Sequence, residues 1–152
     1  MQTLINFHQI TPLVGTSGYP SREQFRLIAD NGYQVVVNLA MHNSDDAIAD
    51  EGAIVAGLGM SYFHLPVPFD APTPDHLAQF FAFMEGNKDR KVLVHCQVNA
   101  RVSAFMHQYL TLTQGYSSEE ATSPLLKLWH EQMDDVWKDL LSWPLDKINT
   151  AD

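Results

Sequence analysis

The sequence predicts a single α/β domain of three layers: a mostly parallel central sheet of about four to five strands, helices on both faces and a helical C-terminal cover. Three observations predict it. Two short runs rich in β-branched residues, Gln34 to Leu39 (QVVVNL) and Val92 to Val94, are apolar at successive positions, as strands buried on both faces are. Segments with helical spacing stand between such runs, and this alternation leads to parallel strands joined by crossover helices. At 152 residues, 45% of them hydrophobic, the chain can bury one sizeable core without staples. One domain over residues 1–152 is expected, with its core at about 13–142 and a loosely held tail over 143–152.

Taken in order, Gln2 to Val14 has apolar residues without clean periodicity, with a short edge strand expected around Leu13 to Gly15. Thr16 to Pro20 is a turn by its Gly and Pro content. Ser21 with Gln24 makes a capping box that opens a helix through Phe25 and Ile28, and Gly32 closes it. After the QVVVNL strand, Ser44 is the expected cap of a helix through Ile48, Val55 and Leu58, with Asp45, Asp46, Asp50 and Glu51 favouring its first turns. With His42 these acids imitate a metal site, but a solvated acidic helix start is the plainer reading. Ser61 to Val67 is a third strand candidate, leading into a proline-stiffened loop, Pro68 to Pro74. Thr73 as cap and Pro74 at the first position start a helix whose Leu77, Phe80, Phe81 and Met84 form a buried stripe. Ser117 with Glu120 is another capping box. Leu125, Leu128, Trp129, Met133, Val136, Trp137 and Leu140 keep helical spacing across a break near Pro124 or Glu131. Trp143 is placed either to anchor the tail or to join a homodimer contact.

The stretch that carries chemistry is Lys91 to Met106, KVLVHCQVNARVSAFM. A strand ends at His95 and Cys96, a loop follows, and Val102, Phe105, Met106 and Tyr109 then repeat at the spacing of a helix with one buried face. The unpaired backbone N–H groups of a helix start favour an anion in front of them, so a cysteine placed there is expected as a reactive thiolate. Arg101 is the nearby cation, and its planar fork can grip two oxygens of a phosphate or sulfate. A lone cysteine is usually an inert small hydrophobe. Its placement at a strand-to-helix switch, where open α/β sheets bind ligands, weighs the other way.

Composition narrows the partners. Nine Lys and Arg against eighteen Asp and Glu give a net charge of -9, a field that repels polyanions and leaves no basic footprint for nucleic acid or anionic lipid. The single cysteine excludes an internal disulfide and a cysteine-cluster metal site, which fits a reducing compartment. Met1 to Ile10 lacks a basic stretch followed by an apolar run, and no apolar segment is long enough to span a bilayer. A cytoplasmic location away from membranes is the expectation.

His95-Cys96 closing a strand, then a loop, an Arg and a Ser resemble the phosphate loop of the cysteine-based protein tyrosine phosphatases, in particular their small bacterial dual-specificity-like group. TSGYPS, Thr16 to Ser21, is similar to the Ser-Gly-x-Pro turn before the first helix of that group. The resemblance covers roughly Leu13 to Gly115. It implies hydrolysis of phosphate monoesters through a phosphocysteine. Cys96 would attack, while Arg101 and the loop Gln97, Val98, Asn99, Ala100, Arg101, Val102 and Ser103 would bind the phosphate. Asp70, on a loop after an earlier strand, would be the general acid, with Asp75 the weaker alternative. His95 would orient the loop and Ser103 would assist thiolate departure. No cofactor and no metal are implied, and the partner would be a small phosphorylated substrate or a phosphoprotein. The chain departs from the family pattern in having four residues between Cys96 and Arg101 where the family has five, no Gly in the loop, Val102 between Arg101 and Ser103, and Ala40 where the group often has Arg. A shorter loop is similar to that of the rhodaneses, which carry a persulfide, although the helical run after Gln114-Gly115-Tyr116 favours the phosphatase. A non-catalytic phosphate or phosphopeptide binder is the third reading.

Overall fold

The computed structural model describes residues 1–149. Five strands, β1 (His8–Thr11), β2 (Val14–Ser17), β3 (Val35–Asn38), β4 (Ser61–His64) and β5 (Val92–His95), form one sheet in the order β1-β2-β5-β3-β4. β1 is antiparallel to β2 and all other pairs are parallel. Eight helices complete the described chain: α1 (Arg22–Asp30), α2 (Glu51–Gly57), α3 (Pro74–Gly86), α4 (Ala100–Thr113), α5 (Ser118–Ala121), α6 (Pro124–His130), α7 (Asp135–Ser142) and α8 (Leu145–Asn149). This is the predicted α/β architecture.

Strand alternation sorts the core onto two faces. Val36 and Leu93 pack with Phe25 and Ile28 of α1 and Val55 of α2. Val35, Val37, Val92 and Val94 face the larger cluster, built from α3, α4, α6, α7 and α8. α4 is the central element there and is buried nearly all round from Ala100 to Leu110. The parallel register lines up Ser17, His95, Asn38 and His64, all strand-final residues, along the carboxyl edge of the sheet. That edge is where parallel α/β sheets present ligand sites.

The capping boxes of α1, α3 and α5 are present, with Ser21, Thr73 and Ser117 each accepting from the N–H three residues on. Four expectations are corrected. The strand near Leu13 is interior, because β1, not read from the sequence, pairs outside it. The helix expected from Ser44 begins at Glu51; the Ser44 hydroxyl instead donates to the Met41 carbonyl within a turn. On α6 the buried residue is Leu126, while Leu128 is 71% exposed. The tail is not loose over its described part, because α8 packs on α3 with Ile148 fully buried and Lys147 lies over the Trp143 ring. The tail's last residues, 150–152, lie outside the described residues.

Candidate active site

Cys96 sits directly after β5 and is 1% exposed, at the floor of the loop that leads into α4. Asn99, the N-cap of α4, adopts the left-handed conformation at φ 75°, which a short polar side chain tolerates best after Gly. Its amide donates to the Asn6 carbonyl at 2.8 Å and to Thr16 Oγ1 at 3.1 Å. Asn6 returns a bond from its own amide to the Val98 carbonyl at 2.9 Å, and Tyr19 N–H donates to the Gln97 carbonyl at 3.0 Å. With its carbonyls and the Asn99 side chain tied outward, the loop leaves its donors free. The backbone N–H groups of Gln97, Val98, Asn99, Ala100, Arg101 and Val102 meet no acceptor among the described residues. Successive free N–H groups at the start of a 14-residue helix form an anion cradle.

Arg101 is 4% exposed and lies under the loop. Its Nη1 donates to the Leu39 carbonyl at 3.3 Å and the Val67 carbonyl at 3.0 Å, and Nη2 donates to Gln97 Oε1 at 2.7 Å. The guanidinium thus ties the ends of β3 and β4 to the loop, and the Nε–H and one Nη2–H remain for an oxyanion. Phe69 lies 5.5 Å from it, face on, and packs against Trp129 and Trp137. Trp137 donates its Nε1–H to the Phe69 carbonyl at 2.7 Å. That bond fastens the proline-rich loop, and the next residue is Asp70, exposed and without a hydrogen bond or ion pair among the described residues. Asp75 accepts from Gln79 in the first turn of α3, the structural role expected of it.

The Ser103 hydroxyl donates to the Ala100 carbonyl at 2.6 Å, and Cys96 Sγ takes no hydrogen bond among the described residues. The Ser103 bond braces the start of α4. Val102 contributes only its N–H, since its side chain is fully buried in the core. His95 Nδ1 lies 3.2 Å from the Cys96 carbonyl, in keeping with the orienting role, and Nε2 lies 2.7 Å from Glu51 Oε2. Of the acids near His42, Asp50 pairs with Arg22 and Glu51 with His95, and among the described residues no group of three or more His, Cys, Asp or Glu side chains could hold a metal ion. Burial pushes the Tyr19 and Tyr62 phenols above their ordinary range, and nearby Glu51 adds to both effects.

Sequence reasoning missed Asn6, Glu51 and Trp137, which hold the site from 92, 44 and 68 residues away from their partners. Of the stretch read as a turn, Thr16 and Ser17 instead end β2, and the chain turns from Gly18, where a Cβ would stand 2.5 Å from the Gln97 carbonyl oxygen and 3.0 Å from Val98 Cα. Beside the loop mouth, Phe69, Val98, Ala100, Leu125, Leu128 and Trp129 line an apolar groove of about 340 Å³. The larger cavity of about 510 Å³, between His107 and His130, touches none of the loop residues.

Residues 11–136 match the family model described as a dual-specificity-type protein tyrosine phosphatase domain fused to NAD+ kinase. The chain belongs to the cysteine-based protein tyrosine phosphatase superfamily. A DUF442 protein from Shewanella putrefaciens CN-32, provisionally assigned as a phosphatase, is similar at 35% identity and TM-score 0.84, covering 93% of this chain and 91% of its own. Tk-PTP in its active form shares the superfamily fold at 22% identity and TM-score 0.72, over 90% of this chain and 93% of its own. P. aeruginosa TpbA, as a cysteine-to-serine variant in complex with phosphotyrosine, shares it at 20% identity and TM-score 0.66, over 97% and 85%. A search of curated proteins gave no match. No helix among the described residues is long and apolar enough to cross a membrane.

Proposed function

We propose that the protein is a cysteine-dependent phosphatase that hydrolyses phosphate monoesters, on a small molecule or a phosphoprotein, through a phosphocysteine. The observation that carries this reading is the run of six acceptor-free N–H groups, Gln97 to Val102, wrapped after Cys96 and over Arg101. In the first step the Cys96 thiolate attacks phosphorus, the S–P bond forms and the ester P–O bond breaks. Asp70 gives its proton to the departing oxygen. The loop N–H groups and the free edge of Arg101 hold the three equatorial oxygens, whose charge shifts in the transition state. In the second step Asp70, now a carboxylate, takes a proton from water as it attacks the phosphocysteine, releasing inorganic phosphate and the thiolate. No step needs a cofactor or metal.

The test is hydrolysis of p-nitrophenyl phosphate by the wild type, Cys96→Ser and Asp70→Asn, with vanadate as competitor. Activity should vanish with Cys96→Ser. With an alkyl phosphate, whose leaving oxygen needs the proton, it should fall about 10²–10⁴-fold with Asp70→Asn. Equal activity of wild type and Cys96→Ser would overturn the reading. The short loop favours one rival, a persulfide carrier, which would instead transfer sulfur from thiosulfate and be indifferent to Asp70→Asn.

A further inference from the structure

The steps above leave one pair of buried ionisable groups unused. Glu51, the first residue of α2, is 2% exposed and His95, the last of β5, is fully buried. The two ring nitrogens of His95 each face an oxygen, Nε2 the Glu51 carboxylate at 2.7 Å and Nδ1 the Cys96 carbonyl at 3.2 Å. A carbonyl only accepts, so Nδ1 carries a proton. A second proton must then sit between Nε2 and the carboxylate, because two bare acceptors do not approach so closely. The Tyr19 and Phe25 rings, with centroids 5.4 Å and 6.4 Å from that of His95, enclose the imidazole and fix its plane.

Glu51 faces the Tyr19 and Tyr62 phenols, Tyr19 packs on His95, and Cys96 and Arg101 lie near Tyr19. Both phenols are kept neutral by burial, so neither supplies a charge. The other carboxylate oxygen, Glu51 Oε1, is buried and without a hydrogen-bond partner among the described residues. Among the described residues His95 is the ion-pair partner of Glu51, while the Arg101 guanidinium is held by the Leu39 and Val67 carbonyls and Gln97 Oε1. We propose that Glu51 is a positioning residue that holds His95 as a buried imidazolium directly behind Cys96, placing a fixed positive charge where the thiolate forms. Glu51 contacts no reacting atom and acts through His95. The inference rests on Cys96 being the nucleophile, but its test requires no turnover.

Glu51→Gln is the informative variant. Its amide can donate to a bare Nε2 while Nδ1–H stays on the Cys96 carbonyl, so the shape is kept and the charge removed. Two measurements decide. Nitrogen-15 spectra of the wild type at pH 8, where an ordinary imidazole is neutral, should show both His95 ring nitrogens protonated, and Glu51→Gln should show one. Alkylation of Cys96 by iodoacetate at pH 7 should be about tenfold slower in Glu51→Gln, with the difference closing at alkaline pH where any thiol is ionised. A purely structural role would leave both readouts unmoved. A wild-type His95 with one bare nitrogen overturns the inference whether or not the variant folds. A fast-reacting wild type matched by an equally fast Glu51→Gln overturns it as well and leaves the nucleophile in place. A wild-type Cys96 no faster than a free thiol overturns the nucleophile reading itself, and this inference with it.

Discussion

Replacing Trp137 by Phe separates the two tasks of one fully buried side chain, filling the helical core and fastening the loop before Asp70. The indole packs among Phe69, Phe105 and Trp129 with centroids at 5.4, 6.2 and 5.4 Å. Deleting a core Trp to Ala costs about 3–5 kcal/mol, and a phenyl ring keeps more than half of that burial, so the packing loss is about 1–2 kcal/mol. The lost bond to the Phe69 carbonyl adds about 1 kcal/mol. With a mid-range urea slope of about 2 kcal/mol per molar, the total of about 2–3 kcal/mol lowers the unfolding midpoint by about 1–1.5 M. The fold should survive, so the kinetics of an alkyl phosphate, whose leaving oxygen needs the Asp70 proton, can be read on the same sample. If Trp137 acts on catalysis through the placement of Asp70, Trp137→Phe lowers kcat about tenfold in the wild type. It should have almost no further effect in the Asp70→Asn background, because neighbours in one pathway are non-additive. An equal kcat loss in both backgrounds, or a midpoint shift under about 0.3 M, would refute the reasoning.

Gly18→Ala forces a Cβ against the Gln97 carbonyl oxygen at 2.5 Å, both backbone-fixed, so the loop must shift. Vanadate inhibition and hydrolysis should weaken at least tenfold while far-UV circular dichroism is kept. Asn99→Ala loses the amide bonds to Asn6 and Thr16 and keeps a Cβ at φ 75°, whereas Asn99→Gly loses the bonds but relieves the backbone. Alanine should therefore be the more destabilising by about 1 kcal/mol in chemical denaturation. Burial holds the His107 imidazole below its ordinary value, so unfolding takes up a proton as pH falls. Stability from this group is present above about pH 6.5 and is lost as pH drops below that value toward its folded pKa. His107→Asn should flatten that part of the melting-temperature profile between pH 7 and 5.

How far the sequence reached follows from where each signal lies along the chain. Ser21 with Gln24, Thr73 with Pro74 and Ser117 with Glu120 are local pairs, so α1, α3 and α5 were readable. The β-branched runs of β3 and β5 have no competing periodicity. β1 has no such pattern: HQIT pairs through a tight return in which Thr11 Oγ1 accepts from Leu13 and Val14 N–H. The acid run after Ser44 looked like a helix start because Asp and Glu favour first turns, but Asp50 is drawn to Arg22 and Glu51 inward to His95. Cys96, Arg101 and the loop were legible from contiguous residues. Their supports at Asn6, Glu51 and Trp137 were not, since each reaches its partner across the fold with no local trace.

The central claim is a covalent S–P bond on Cys96, and intact-mass spectrometry after acid quench of the enzyme turning over an aryl phosphate tests it most directly. One added phosphoryl group that maps to Cys96 and is missing from Cys96→Ser is the predicted result. Continued hydrolysis with an unmodified Cys96, or with Cys96→Ser, would contradict the account.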